Sequence, residues 1–186
     1  MDAMRKEYAR LRRRPFLMPL WLPVFGVILL LAFAAWWVAS ASTTIVMVVR
    51  HAEAAAGDDP LLSAEGEARA QRLAALLTTA EGLAPDGIIV SGLRRTQETA
   101  RPLAAALGLP VVVVESRDPE AVAERALDEF HGRRVLVIGH SNTVPAIVER
   151  LARQPVPAMS ESEFGALYVV AVPRFSRPVV ARMELP

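Results

Sequence analysis

A chain of 186 residues with one lysine, three histidines and no cysteine excludes several chemistries at once. Without cysteine there is no disulfide, no thiolate-held zinc and no thiol nucleophile, and Lys6 as the only lysine leaves none for a Schiff base or a P-loop in the folded part. Net charge is +1, but residues 1–39 hold six basic and two acidic side chains, so the rest carries 15 basic against 18 acidic and is not a basic nucleic-acid binder.

The first element is the uncharged run from Phe16 to Ala39. At about 1.5 Å per residue it is long enough to span a hydrocarbon core of about 30 Å. Pro19 and Pro23 lie in its first part, and Trp21, Trp36 and Trp37 sit near its ends, where indoles favour the membrane interface. Arg10, Arg12, Arg13 and Arg14 precede the run, and no basic residue follows until Arg50. The positive-inside rule then predicts a basic cytoplasmic tail (1–15), a single transmembrane anchor (16–39) and an extracytoplasmic domain (43–186), periplasmic in a bacterium. A cleaved signal peptide is the competing reading, since Ala39-Ser40-Ala41 has the small-x-small pattern of a cleavage site.

From Thr43 onward short apolar runs alternate with amphipathic stretches. Strands are expected at 44–49, 87–91, 111–115, 135–139, 167–172 and 178–183. The first helix, 64–80, is capped by Ser63, with Glu65 and Glu67 in its first turn. The second, 93–107, stops at Gly108; the third runs from Pro119 to before Gly132; the fourth covers 143–153. This order predicts an α/β fold, a three-layer sandwich whose mostly parallel sheet is flanked by helices.

Chemistry gathers where the strands end. The run Thr44–Val49 leads into Arg50-His51-Ala52-Glu53. An arginine beside a histidine suits a phosphate pocket, where arginine binds the anion and neutral imidazole attacks phosphorus. Ile88-Ile89-Val90 leads into Ser91-Gly92-Leu93-Arg94-Arg95-Thr96-Gln97-Glu98-Thr99-Ala100, which puts two arginines at a helix start. That placement opposes the helix dipole unless an anion binds there; one of the two is read as solvated. Val135–Ile138 leads into Gly139-His140-Ser141-Asn142. In a parallel sheet all three strand ends share one edge, so these groups can converge.

In that order the three segments, with Leu62-Ser63-Ala64-Glu65-Gly66, resemble the motifs of the histidine phosphatase superfamily, also called phosphoglycerate mutase-like. The resemblance covers residues 44–183, and the compact length is similar to the small phosphohistidine phosphatase branch. It implies that His51 is the nucleophile and becomes phosphohistidine, and that Arg50, Arg95 and His140 bind the transferring phosphoryl group. The motif register selects Arg95 over Arg94. Asn142 and the backbone of Ser141 are expected to add donors at a helix start, and Glu53 to hold His51 or Arg50, or else to be a surface carboxylate. Neighbouring cations disfavour a charge on His51. No cofactor is implied, and two histidines without clustered carboxylates are a poor metal site by count.

Many members protonate the leaving group with an acid from a long insertion after the second motif. That insertion is missing here, which leaves Glu115 and Asp118 as candidates, with Glu115 taken as the catalytic acid. Short loops predict an open site suited to a phosphorylated small molecule or a phosphoprotein. The expected function is thus a membrane-anchored phosphatase with no nucleic-acid partner; the alternative is a non-catalytic phosphate-binding or regulatory domain of the same fold.

Overall fold

The computed structural model describes residues 21–41, 43–115 and 118–185. The expected tail 1–15 and the expected start of the anchor, 16–20, lie outside the described residues. The chain divides into two compact units between Val38 and Ala39.

Helix α1 spans Trp21–Ala41 and contains no charged residue. Its window Trp21–Val38 is long and apolar enough to cross a membrane, and none of it is buried. Length and composition of this kind fit a membrane span or a signal sequence alike.

In the second unit the described strands form one six-stranded sheet. They are β1 (Thr43–Arg50), β2 (Gly87–Ser91), β3 (Val111–Val114), β4 (Arg134–Gly139), β5 (Ala166–Pro173) and β6 (Val179–Glu184), in the spatial order β3-β2-β4-β1-β5-β6. The first four run parallel, and β5 and β6 are antiparallel additions beside β1. β1, β2 and β4 are almost wholly buried, which is why they read as unbroken apolar runs rather than alternating ones.

The helices are α2 (Ala64–Thr79), α3 (Arg94–Leu107), α4 (Pro119–Glu129) and α5 (Val144–Ala152). Met47, Val49, Ile88, Val90, Leu136 and Ile138 face one way, against Leu73 and Leu77 of α2 and Leu103 of α3. Val46, Val48, Ile89, Val135 and Val137 face the other way, against Ala123 and Ala126 of α4 and Ile147 and Leu151 of α5. The period-two alternation of strand side chains therefore feeds two cores, giving a helix–sheet–helix sandwich. α4 ends at Glu129, short of the stop expected before Gly132, because Phe130 leaves the helix and its ring fills the space a side chain at Gly87 would need.

Two details tie the segment after β1 in place. Ser63 caps α2, its Oγ accepting from Gly66 N at 3.1 Å, while Ser63 N donates to Glu53 O at 2.9 Å. A Cβ at Gly66 would collide with that same Glu53 carbonyl, so the helix start can approach the chain after His51 only with glycine there.

Candidate active site

Parallel pairing brings the ends of β1, β2 and β4 to one edge of the sheet. Arg50 stands opposite Gly139, and the His51 N–H extends the ladder to Gly139 O at 2.9 Å. Backbone pairing alone thus sets the segment carrying His51 beside the one carrying His140. Their rings meet edge-on, centroids 5.3 Å apart and planes at 61°.

His51 is 7% exposed. Its Nδ1 lies 2.7 Å from Ala52 O. A carbonyl only accepts, so Nδ1 carries the proton and Nε2 keeps its lone pair. Burial pushes the His51 pKa down to about 4; Arg95 and Arg50 add to the shift and the Ala52 hydrogen bond opposes it. The imidazole is neutral at ordinary pH and presents one nucleophilic nitrogen. The next residue is locked too, because Ala52 N donates to Thr99 Oγ1 at 3.0 Å and Thr99 Oγ1 donates to Arg95 O at 2.7 Å. Thr99 therefore couples the chain after His51 to the helix that carries Arg95.

His140 Nε2 lies 3.1 Å from Ser91 Oγ, which also contacts Thr96 Oγ1 at 3.0 Å. Its backbone N–H donates to Thr143 Oγ1 at 2.9 Å, closing the turn into α5. Arg95 is half-buried and lines the cleft, whereas Arg94 is exposed. The choice between the two arginines thus follows from which face of α3 meets the sheet edge.

Arg50 is 7% exposed and held by a stretch without regular structure that precedes β5. Its Nη1 donates to the carbonyls of Ser160 (3.2 Å), Glu161 (2.7 Å) and Glu163 (3.1 Å). Its Nη2 donates to Glu161 Oε2 at 3.1 Å, and its guanidinium stacks 4.0 Å from the Phe164 ring centroid. The Nε atoms of Arg50 and of Arg95 are buried with no hydrogen-bond acceptor. Buried donors are nearly always satisfied, and two such arginine donors beside one cleft suit an anion.

The cleft has a volume of about 430 Å³ and is lined by Arg50, His51, Gly57, Pro60, Leu93, Arg95, His140, Ser141, Asn142, Glu161 and Phe164, among others. Ser141 Oγ donates to Glu161 Oε1 at 2.7 Å, and Asn142 is exposed at the cleft. Among the described residues no group of three or more His, Cys, Asp or Glu converges as a metal site.

Three expected residues fall elsewhere. Glu53 holds neither His51 nor Arg50. It is gripped by Arg69 of α2, whose Nε lies 2.8 and 2.9 Å from its two oxygens and whose Nη2 lies 2.6 Å from Oε1. Burial acts to raise the Glu53 pKa, but the Arg69 hydrogen bonds outweigh it and hold the carboxyl below its usual range. Glu115 is exposed and does not line the cleft; its carboxylate fills the space beside Gly92 that a side chain there would take. Asp118 caps α4, accepting from Glu120 N at 3.0 Å. Sequence reasoning missed Glu161 and Phe164, which lie 111 and 114 positions after Arg50 in a polar stretch with no motif of its own. The role of Thr99 was also missed, although the residue sits inside the second motif.

Comparison with known proteins agrees with this fold. The model of the histidine phosphatase superfamily (branch 1) matches residues 46–117, which include His51 and Arg95. No curated protein matches the chain significantly in sequence. Among solved structures, the protein histidine phosphatase SixA complexed with tungstate is 23% identical, covering 75% of this chain and 96% of its own, with a TM-score of 0.62. A mycobacterial glucosyl-3-phosphoglycerate phosphatase is 18% identical, covering 77% and 100%, with a TM-score of 0.62. The alpha-ribazole phosphatase from Shigella flexneri is 20% identical, covering 70% and 94%, with a TM-score of 0.53. At such identities the structures attest the fold, while the family model reaches the first two strand-end motifs but not the third. The chain is therefore similar to the histidine phosphatase superfamily, in sequence over residues 46–117 and in fold beyond them.

Proposed function

We propose that this protein is a membrane-anchored hydrolase of phosphomonoesters that works through a phosphohistidine on His51. The observation that carries the reading is the hydrogen bond from His51 Nδ1 to Ala52 O, which leaves Nε2 free to attack beside two buried arginine donors. In the first step Nε2 attacks phosphorus in line and the ester oxygen departs. Arg50, Arg95 and His140 stabilise the charge spread over the equatorial oxygens. Ser141 and Asn142 offer further donors at the cleft. In the second step water attacks the phosphorus and the P–N bond breaks.

The substrate is a phosphorylated small molecule or a phosphoprotein. The relatives in fold include one named for a protein histidine and others named for metabolites, and the short loops here leave the cleft accessible to both. Anchoring is supported by α1, apolar throughout Trp21–Val38 with none of it buried, and by the arginines at positions 10–14 before it. That charge order puts the catalytic domain on the extracytoplasmic side.

The test of the chemistry is to trap the intermediate. Brief exposure to a radiolabelled phosphomonoester should label the protein with a phosphoryl group that is acid-labile and alkali-stable. An acid-stable label, or one that persists in His51→Ala, overturns the mechanism. A topology reporter fused after Pro186 should be active only outside the cytoplasm; activity inside reverses the orientation.

A further inference from the structure

In-line displacement puts the leaving oxygen on the side of phosphorus opposite the attacking nitrogen. His51 lies at the floor of the cleft, so the leaving group faces the mouth. An alkoxide departing there needs a proton. Glu115, the donor expected from the sequence, does not line the cleft. Among the described lining residues one carboxylate is present, Glu161.

Glu161 lines the same cleft as His51. Its side chain is 83% exposed, at the mouth, and its two oxygens reach Arg50 Nη2 at 3.1 Å and Ser141 Oγ at 2.7 Å. The other terminal nitrogen of Arg50 is occupied by the carbonyls of Ser160, Glu161 and Glu163. Of the terminal nitrogens, that leaves Nη2 to grip a phosphoryl oxygen. Nη2 carries two N–H groups, one of them on Glu161, so a phosphoryl oxygen held by the other lies beside that carboxylate. A carboxylate beside a bound anion takes up a proton more readily than one paired with arginine alone.

We propose that Glu161 is the general acid and base of this enzyme, supplied from the stretch before β5 rather than from the segment after β3. The assignment rests on the phosphohistidine reading above. With the phosphoryl group bound beside it, the Glu161 carboxylate takes a proton from solvent. As the bond from His51 Nε2 to phosphorus forms and the P–O bond breaks, that proton passes to the leaving oxygen and an alcohol departs. The carboxylate then takes a proton from the water that attacks phosphorus, the P–N bond breaks, and His51 returns to its neutral form as phosphate leaves.

The experiment compares the full chain with its Glu161→Gln variant on two substrates. One is p-nitrophenyl phosphate, whose leaving group needs no proton; the other is glycerol 2-phosphate, whose alkoxide does. The expected result is a loss of about 10²-fold in kcat/KM on glycerol 2-phosphate with little change on p-nitrophenyl phosphate. Glu161→Asp should recover part of the lost rate, and the basic limb of the wild-type pH profile on glycerol 2-phosphate should vanish in Glu161→Gln. Equal losses on both substrates would show that Glu161 only positions Arg50, and unchanged or raised rates on both would show a carboxylate that merely competes with substrate. Either outcome overturns the assignment. His51→Ala, run alongside on p-nitrophenyl phosphate, tests the underlying reading separately, because its activity does not depend on the acid.

Discussion

At the floor of the cleft, His51 and His140 each follow a buried parallel strand, and Arg95 lies in the first turn of the helix after β2. At the rim, Glu161 and Phe164 sit on irregular chain that arrives from beyond α5. The floor is located by backbone ladders, the His51–Gly139 bond above all, and by hydroxyls that tie strand end to helix. The rim is located by one side chain, since Arg50 gathers three carbonyls, a carboxylate and an aromatic ring from it. A site can therefore have a rigid half that sets the nucleophile and an adaptable half that sets what reaches it. Arg50 is the joint between them, its backbone in β1 and its guanidinium in the rim.

Changes at the floor should dominate. His51→Ala is expected to lower kcat on p-nitrophenyl phosphate by about 10⁴-fold or more while the thermal unfolding midpoint stays near wild type. Arg95→Ala should cost about 10²–10³-fold in kcat/KM, the scale for losing one preorganised donor, whereas Arg94→Ala should stay within about twofold. Equal losses in the two arginine variants would contradict the observed orientation of α3.

The third effect is on pH. The His51 pKa is lowered in the fold to about 4 from 6.5. Above about pH 4 the nucleophile is already unprotonated, so the acid limb of kcat/KM should have its midpoint near 4. A midpoint near 6.5 would mean that burial does not govern this imidazole. The stability sign follows from the same shift. Between about pH 4 and 6.5 the unfolded chain binds a proton at His51 that the folded chain does not, so this contribution to stability is full above 6.5 and shrinks as pH falls towards 4.

The rim should respond more weakly. Phe164→Ala removes the ring under Arg50, and a cation–π contact of about 1 kcal/mol corresponds to roughly fivefold weaker inhibition by inorganic phosphate. Smallest of all, Glu115→Gln should leave kcat/KM within about twofold on both p-nitrophenyl phosphate and glycerol 2-phosphate. A large loss on glycerol 2-phosphate alone would move the acid back to the end of β3.

Much of this was legible along the chain because it is local. The apolar runs of β1, β2 and β4, the Ser63 cap and the Gly108 stop each depend on a few adjacent residues, and parallel pairing then forces the strand-end motifs to one edge. His51, Arg95 and His140 were readable for that reason. Pairings between distant side chains were not. Glu53 lies within the motif but its partner, Arg69, is a helix turn and a half into α2, so its engagement could not be read from position. Glu161 and Phe164 carry no periodic or motif signal, and their place at Arg50 depends on how the chain returns from α5 to β5. The order of elements and the meeting of His51, Arg95 and His140 at one sheet edge follow from sequence because backbone geometry repeats. The carboxylate at the mouth was settled by folding, because a single guanidinium selects its partners by proximity in space across more than a hundred residues.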